Sequence, residues 1–458
     1  MLKQSCLLFY LVILCGSFIL FPFFSVKEVF ILSVIQSVLF SVYIYKKEKI
    51  ISFFLIFWLI SHFFSMSYLF IPNDPDIGSL IPFYLTTPDE VILKKAAIFA
   101  FYCHAFFSLG YLLYSMVPKK NRTTQNEKIQ NEKTVSLIPQ CFVIIGLFPK
   151  TFLLAKYLML YRFGGYRSVI TYVPNGIFSF LASLFDVGIL LIIAHKYSHN
   201  KKILLPSIVF FLYQLLFVIT GKRGGAISNV LAFFIIILSK KDSFLSLKNI
   251  IRISILICIA LIGLPLLSKI RAVSNSGDRI EFLRTFFIEN SDIVKLSFFS
   301  VCSEFGSAFL TIYYSIMYFS IPNLGYNYLV SFITIIPLTG SISSFVNSVV
   351  LYKNKLPITE TLGGSYIGEA YYSFGIMGFV IFLLIGFILA FVSKKITYGI
   401  RKNKIRSLLI YLPLIPNLLW WIRDFFGPIV RPFVWIIMLV YILPFFFKYL
   451  KTKEALYD

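Results

Sequence analysis

Apolar runs of about 20 residues, the length that crosses a bilayer as a helix, recur from one end of the chain to the other. No large polar block interrupts them. In hydrocarbon a backbone must satisfy its own hydrogen bonds, so runs of this length are expected to be helices. They fall near 7–24, 29–45, 50–71, 94–117, 135–160, 176–194, 203–219, 226–239, 251–268, 376–393, 407–422 and 433–447. The expectation is an all-α polytopic membrane protein with about 12 transmembrane helices, forming a single integral membrane domain over 1–458. A long external loop, 269–375, precedes the last three spans. Within it, 298–321 and 328–351 are apolar enough to enter the membrane, and their connection carries no Lys or Arg. They are expected to be re-entrant or interfacial helices, and 280–299 has the mixed pattern of a helix lying at the interface.

Sidedness follows from the basic residues. The connections 46–49, 118–133, 195–202, 240–252, 394–406 and 448–458 all fall on one side and, with Lys3, hold 25 of the 43 Lys and Arg. The positive-inside rule makes that side cytoplasmic and puts both termini there. The first run has no small-residue cleavage site and reads as a retained span. Multi-pass insertion in a bacterial cytoplasmic (inner) membrane fits these features. Cys6, Cys15, Cys103, Cys141, Cys258 and Cys302 are scattered singly, which excludes a disulfide framework or a zinc site. The cytoplasmic loops are short and contain no phosphate-binding loop, so nucleotide hydrolysis is excluded there. The net charge of +23 is spread over these short loops. No contiguous basic surface is left for nucleic acid.

Arginine departs from this pattern. Of 12 arginines, eight lie on the outer side: Arg162, Arg167, Arg223, Arg271, Arg279, Arg284, Arg423 and Arg431. Topology needs only point charges, whereas phosphate recognition rewards the planar, two-pronged guanidinium. An external phosphorylated ligand is the reading, against the alternative that these residues pair with acids or lipid headgroups. Several sit beside glycines and aromatics, as in Arg162-Phe-Gly-Gly-Tyr-Arg167, Gly221-Lys-Arg-Gly-Gly225 and Trp421-Ile-Arg-Asp-Phe-Phe-Gly427. There the backbone can approach a ligand closely.

Three stretches carry a family likeness: Gly221-Lys-Arg-Gly-Gly225; Arg271 through Asn275-Ser-Gly-Asp-Arg279; and Gly363-Gly-Ser-Tyr-Ile-Gly-Glu-Ala-Tyr-Tyr-Ser-Phe-Gly375 with Gly378. On these motifs, and on its architecture, the chain resembles the O-antigen polysaccharide polymerases, the Wzy-type enzymes of lipopolysaccharide biosynthesis. The resemblance implies a membrane glycosyltransferase that moves a growing glycan from undecaprenyl pyrophosphate onto the next lipid-linked repeat unit. It implies membrane lipids and an undecaprenyl-pyrophosphate-linked oligosaccharide as partners, in the company of a chain-length regulator and a flippase. An outer face without ATP needs a preactivated substrate of this kind. Arg271 and Arg279 would stabilise the departing pyrophosphate, with no cofactor and no metal required. Arg167, Lys222, Arg223, Arg284, Tyr366, Tyr371, Arg423, Asp424 and Arg431 complete the expected substrate contacts. Two neighbouring readings are an O-antigen ligase, disfavoured by the lack of a histidine in the external loops, and a lipid-linked oligosaccharide flippase, disfavoured by arginines gathered on one face. A non-catalytic assembly partner is the third.

Transfer to a hydroxyl benefits from a general base. His62 and His104 fall midway along apolar runs and read as hydrogen-bonded helix histidines, so carboxylates are the candidates. Glu369 is the first choice, because it stands in a glycine-rich entry to a span; the alternative is a carboxylate satisfying a helix N-terminus. Asp424 adjoins Arg423 and is expected to form an ion pair with it. Asp74-Pro-Asp76 could hold a divalent cation, but Asn73-Asp-Pro-Asp-Ile-Gly78 is also turn chemistry. Lys150 and Asp186 lie within runs, where each charge is costly alone. They could pair with each other across the bundle, as a structural lock or as part of a proton or ligand pathway.

Overall fold

The computed structural model describes residues 2–45, 48–64, 66, 69, 89–117, 132–172, 174–240, 306, 308–318, 322–336 and 364–454. Among them every regular element is a helix. The α-helices are α1 (Leu2–Leu20), α2 (Val26–Tyr45), α3 (Lys49–Phe63), α4 (Glu90–Met116), α5 (Glu132–Thr171), α6 (Gly176–Ser198), α7 (Leu204–Thr220) and α8 (Arg223–Lys240). They continue with α9 (Ala308–Tyr318), α10 (Tyr326–Ile333), α11 (Tyr366–Phe374), α12 (Ile381–Arg401), α13 (Ile405–Tyr411), α14 (Leu414–Trp421) and α15 (Gly427–Glu454).

Six segments are long and apolar enough to cross a membrane: Val26–Tyr45, Glu90–Met116, Leu137–Gly165, Gly176–Ser198, Tyr366–Arg401 and Gly427–Pro444. The expected runs near 50–71, 203–219, 226–239 and 407–422 are also helical, but shorter or broken; the last is divided into α13 and α14 at Leu412-Pro413. The expected run 251–268 and most of the 269–375 stretch, with its proposed interfacial helix 280–299, lie outside the described residues. Three pieces of that stretch are described, carrying α9, α10 and α11. Helices α9 and α10 have 11 and 8 residues, about 16 and 12 Å at 1.5 Å per residue, against about 30 Å of hydrocarbon. Neither of these two is long enough to cross.

Helix α4 is the central post of the bundle, buried along most of its length, and it packs on α1, α2, α9 and α12. Its crossing with α12 brings backbone onto backbone. A side-chain carbon on Gly110 would overlap the Leu383 carbonyl, and one on Gly386 would overlap the Phe107 carbonyl. Small residues at a crossing of this kind let dispersion act over the whole length of the pair. A second close pair, α5 with α6, uses Gly146 against the Phe185 amide and Gly188 against the Pro139 carbonyl.

Lys150 and Asp186 do pair, Nζ to Oδ2 at 2.5 Å, and both side chains are buried. The network extends beyond the pair: the Gln214 side-chain amide donates to Asp186 Oδ1 at 2.8 Å, and Asn229 donates to Gln214. The Lys150 ammonium also faces the Phe217 ring at 4.0 Å. Four helices, α5 to α8, are thus joined by one polar chain.

Residues at the basic connections share a set of hydrogen bonds. Ser393 donates to Glu48, Lys49 to the Leu238 carbonyl, Arg401 to the Ser239 carbonyl, and Lys240 to the carbonyls of Tyr197 and Ser198. These residues belong to, or border, the basic connections. The described glycine-rich stretches 221–225, 364–375 and 421–427 gather around the starts of α8, α11 and α15.

Candidate functional site

The sequence Gly364-Ser365 opens α11 and fixes where Glu369 lies. Ser365 is the N-cap: its Oγ accepts from the amides of Ile367 and Gly368 at 3.2 and 3.4 Å, satisfying two of the donors that a helix start leaves free. The same hydroxyl meets His62 Nε2 at 2.8 Å, and His62 Nδ1 meets the Trp58 carbonyl at 3.1 Å. A carbonyl only accepts, so Nδ1 carries the proton and Nε2 accepts from Ser365. Helix α3 ends at Phe63, which puts His62 in its last turn rather than midway along a span. His62 is a hydrogen-bonded helix histidine, as read from the sequence, and its second partner is the cap of the Glu369 helix.

Helix α11 is wedged in place. A side-chain carbon on Gly368 would overlap Thr311 of α9, and Ser315 of α9 donates to the Gly368 carbonyl at 3.0 Å. After Phe374 the chain turns at Gly375, whose φ of 59° suits glycine. It then folds back until Gly378 touches the Ala370 carbonyl. This return gives a short 3-10 segment, Gly375–Val380, before α12.

Glu369 is fully buried by these contacts. Its Oε2 accepts from the Phe426 amide at 2.9 Å, while its Oε1 has no hydrogen-bond partner. The Trp421 indole N–H is also unpartnered; it lies close enough to act on the carboxyl without reaching hydrogen-bond geometry. Asp424 is near enough for charge on one carboxylate to repel charge on the other. Two carboxyl groups, one on α11 and one on the turn between α14 and α15, therefore share one corner, and Glu369 Oε1 there has no hydrogen-bond partner.

The turn between α14 and α15 supplies the other half. Asp424 Oδ2 accepts from the Trp420 indole N–H at 2.6 Å, and Oδ1 from the Phe425 amide at 2.8 Å. These bonds stand where an ion pair to Arg423 was expected; adjacent residues on a turn diverge, and the carboxylate folds back four residues instead. Burial pushes the Asp424 carboxyl up to about 6, with the Phe425 and Trp420 donors opposing that shift. Arg423 comes near His62. The turn is pressed against α11, since a side-chain carbon on Gly364 would overlap the Phe425 ring and the Asp424 backbone.

The Gly221-Lys-Arg-Gly-Gly225 motif joins the same region through Gly224. A side-chain carbon there would lie inside the Trp420 ring, so the head of α8 rests directly on the indole. Gly221 closes α7 with φ 96°, and Lys222 follows, half-buried, with its ammonium 5.5 Å from the Tyr157 ring. Burial lowers the Lys222 pKa. An ammonium drawn partly out of water gains more from an anion than one in bulk solvent does.

The remaining expected residues divide. Arg431, in the first turn of α15, donates through Nε to the Thr334 carbonyl, faces the Trp435 ring at 5.8 Å and borders Gly176. Tyr366 is core-packed among Phe54, His62, Phe382 and Trp421. Tyr371 is half-buried, edge-on to Phe99. Arg167 follows the break of α5 at Gly165, φ 66°, and Arg223 opens α8. Arg271, Arg279, Arg284, Asp74 and Asp76 lie outside the described residues.

His62, Ser365, Trp420 and Trp421 were not among the residues expected from sequence. Ser365 had a legible signal, a cap residue after Gly-Gly at a helix start, and the Trp-Trp pair beside Arg-Asp was another. Nothing in the local sequence around His62 points to Ser365.

No curated protein and no solved structure matches the chain. The profile described as O-antigen polysaccharide polymerase Wzy matches residues 6–454, nearly the whole length, and includes all three glycine-rich motifs and the buried carboxylate corner. The chain belongs to the O-antigen polysaccharide polymerase Wzy family.

Proposed function

We propose that the chain is a metal-independent membrane glycosyltransferase that polymerises lipid-linked repeat units on the external face of a bacterial inner membrane. Membership of the Wzy family supports an O-antigen polymerase role in general. The observation that carries the finer reading is Glu369, fully buried, with one carboxyl oxygen unpartnered beside Asp424. A buried acceptor atom without a donor is rare. A substrate hydroxyl would satisfy it.

In this reading the acceptor sugar hydroxyl donates to Glu369 Oε1. Its oxygen forms the new bond to the anomeric carbon of the donor glycan as its proton passes to the carboxylate. The bond from that carbon to the pyrophosphate oxygen breaks, and the electron pair leaves on undecaprenyl pyrophosphate. The half-buried Lys222, together with Arg223, Arg423, Arg431 and Arg167, supplies the positive charge for that leaving group, and the two arginines of the 271–279 motif, with Arg284, add to it. Asp424 keeps a second negative charge beside Glu369, which favours proton uptake there. No ATP is consumed.

The test is to deliver a purified undecaprenyl-pyrophosphate-linked repeat unit to the protein in liposomes and to resolve products by length. A ladder of lipid-linked glycans supports the reading. Transfer of single units to lipid A core would establish the ligase instead, and movement between leaflets without new bonds would establish the flippase.

A further inference from the structure

Trp420 occupies a place that the transfer chemistry above does not use. It bridges the cationic loop 221–225 and the carboxylate corner: its ring lies against Gly224 with no room for another carbon, and its indole N–H is bonded to Asp424 at 2.6 Å. The ring belongs to the end of α14, which packs along α8. A displacement of the head of α8 must therefore push on the indole, and the indole cannot move without loosening its bond to Asp424.

We propose that Trp420 is a positioning residue for glycosyl transfer: it holds the Asp424 carboxylate ionised next to Glu369 and keeps that pair in register with the Lys222 loop, where the diphosphate is bound. The inference rests on the polymerase reading. A bond from a neutral N–H to a carboxylate favours the ionised acid, so Trp420 sets the proton affinity of the pair as well as its place. Asp424 titrates beside Glu369, which also acts on Tyr328, and Arg423, next to Asp424 on the same turn, lies near His62 at the end of α3. Of these, Glu369 is the partner whose proton is coupled to that of Asp424, so the acid limb of the rate belongs to the pair.

The experiment uses the full chain in liposomes with the lipid-linked repeat unit, measuring the single-turnover rate and the half-saturating substrate level from pH 5 to pH 9. Trp420→Phe keeps a ring against Gly224 and removes the donor. Its acid limb moves up by about one pH unit, so the rate falls about tenfold near pH 6 and returns to within about threefold of the unaltered protein near pH 8. Half-saturation changes by less than about twofold, because no phosphate contact is lost. Gly224→Ala retains the indole but forces it aside, and its acid limb moves the same way. Replacement of Trp420 by 3-benzothienylalanine, which keeps the shape and lacks only the N–H, gives the same displacement even if Phe disturbs packing. An acid limb that stays in place with the benzothienyl side chain, or an equal loss at every pH, overturns the role of Trp420. Absence of any ladder from the unaltered protein overturns the polymerase reading instead.

Discussion

Replacing Glu369 by Gln tests the proposed base at the smallest steric change. The carboxyl has two different oxygens. Oε2 accepts from the Phe426 amide at 2.9 Å, whereas Oε1 has no bond. In the variant the amide oxygen must take the Phe426 side, because a buried amide N–H facing an NH2 group is left unsatisfied at a cost of about 1–3 kcal/mol. That choice leaves the NH2 where Oε1 stood, with no acceptor bonded to it. It also removes the repulsion between Glu369 and Asp424. The two effects oppose one another, so thermal stability followed by tryptophan fluorescence should change little. The rate should change much more. A positioned general base contributes about 10²–10⁴-fold, equivalent to about 3–5 kcal/mol of barrier. The amide cannot take the acceptor proton, and the first rung of the ladder in a single-turnover assay should slow by that factor while lipid-linked substrate still binds. A folded Glu369→Gln protein that forms the first rung within about threefold of the unaltered rate would remove Glu369 as the base.

Two further outcomes concern the frame. Lys150→Met should destabilise the bundle by about 3–5 kcal/mol, because it leaves the Asp186 charge buried with Gln214 as its remaining partner; Lys150→Met with Asp186→Leu should recover most of that loss. Thermal unfolding of both variants in one detergent checks this, and equal Tm values for the single and double variants would refute it. Ser365→Ala should cost about 1 kcal/mol for the lost cap and about 1–3 kcal/mol more for His62 Nε2 left without a donor. Hydrogen exchange should then quicken at the amides of residues 366–369 ahead of the rest of α11.

The helices were legible because a bilayer leaves few options. A run such as 94–117 must bond its own backbone, and the structure has helix Glu90–Met116 there. The Lys150–Asp186 pair was open to the same reasoning, since isolated charges in hydrocarbon are expensive and each of the two falls within an apolar run. Helix length was less so. The run 50–71 is continuously apolar, yet α3 stops at Phe63, and hydropathy has no term for the capping contact that His62 makes across 303 residues. Tyr366 shows the converse: it was expected among the substrate contacts, but the glycines of its motif serve close packing and the ring lies in the core.

The site itself depends on contacts that local pattern cannot express. Glu369 stood out because glycines around a carboxylate mark a crowded place. What the glycines are crowded against could not be read. Gly368 admits Thr311, Gly364 admits the Asp424 turn and Gly224 admits the Trp420 ring. Each of these glycines is a meeting point for two distant segments, and together they draw α8, α9, α11 and the α14–α15 turn around the carboxylates. Substituting any one of them should therefore act on the rate through the spacing of Glu369, Asp424 and Lys222, although none of the three glycines carries a group that can bind a sugar, a phosphate or a proton.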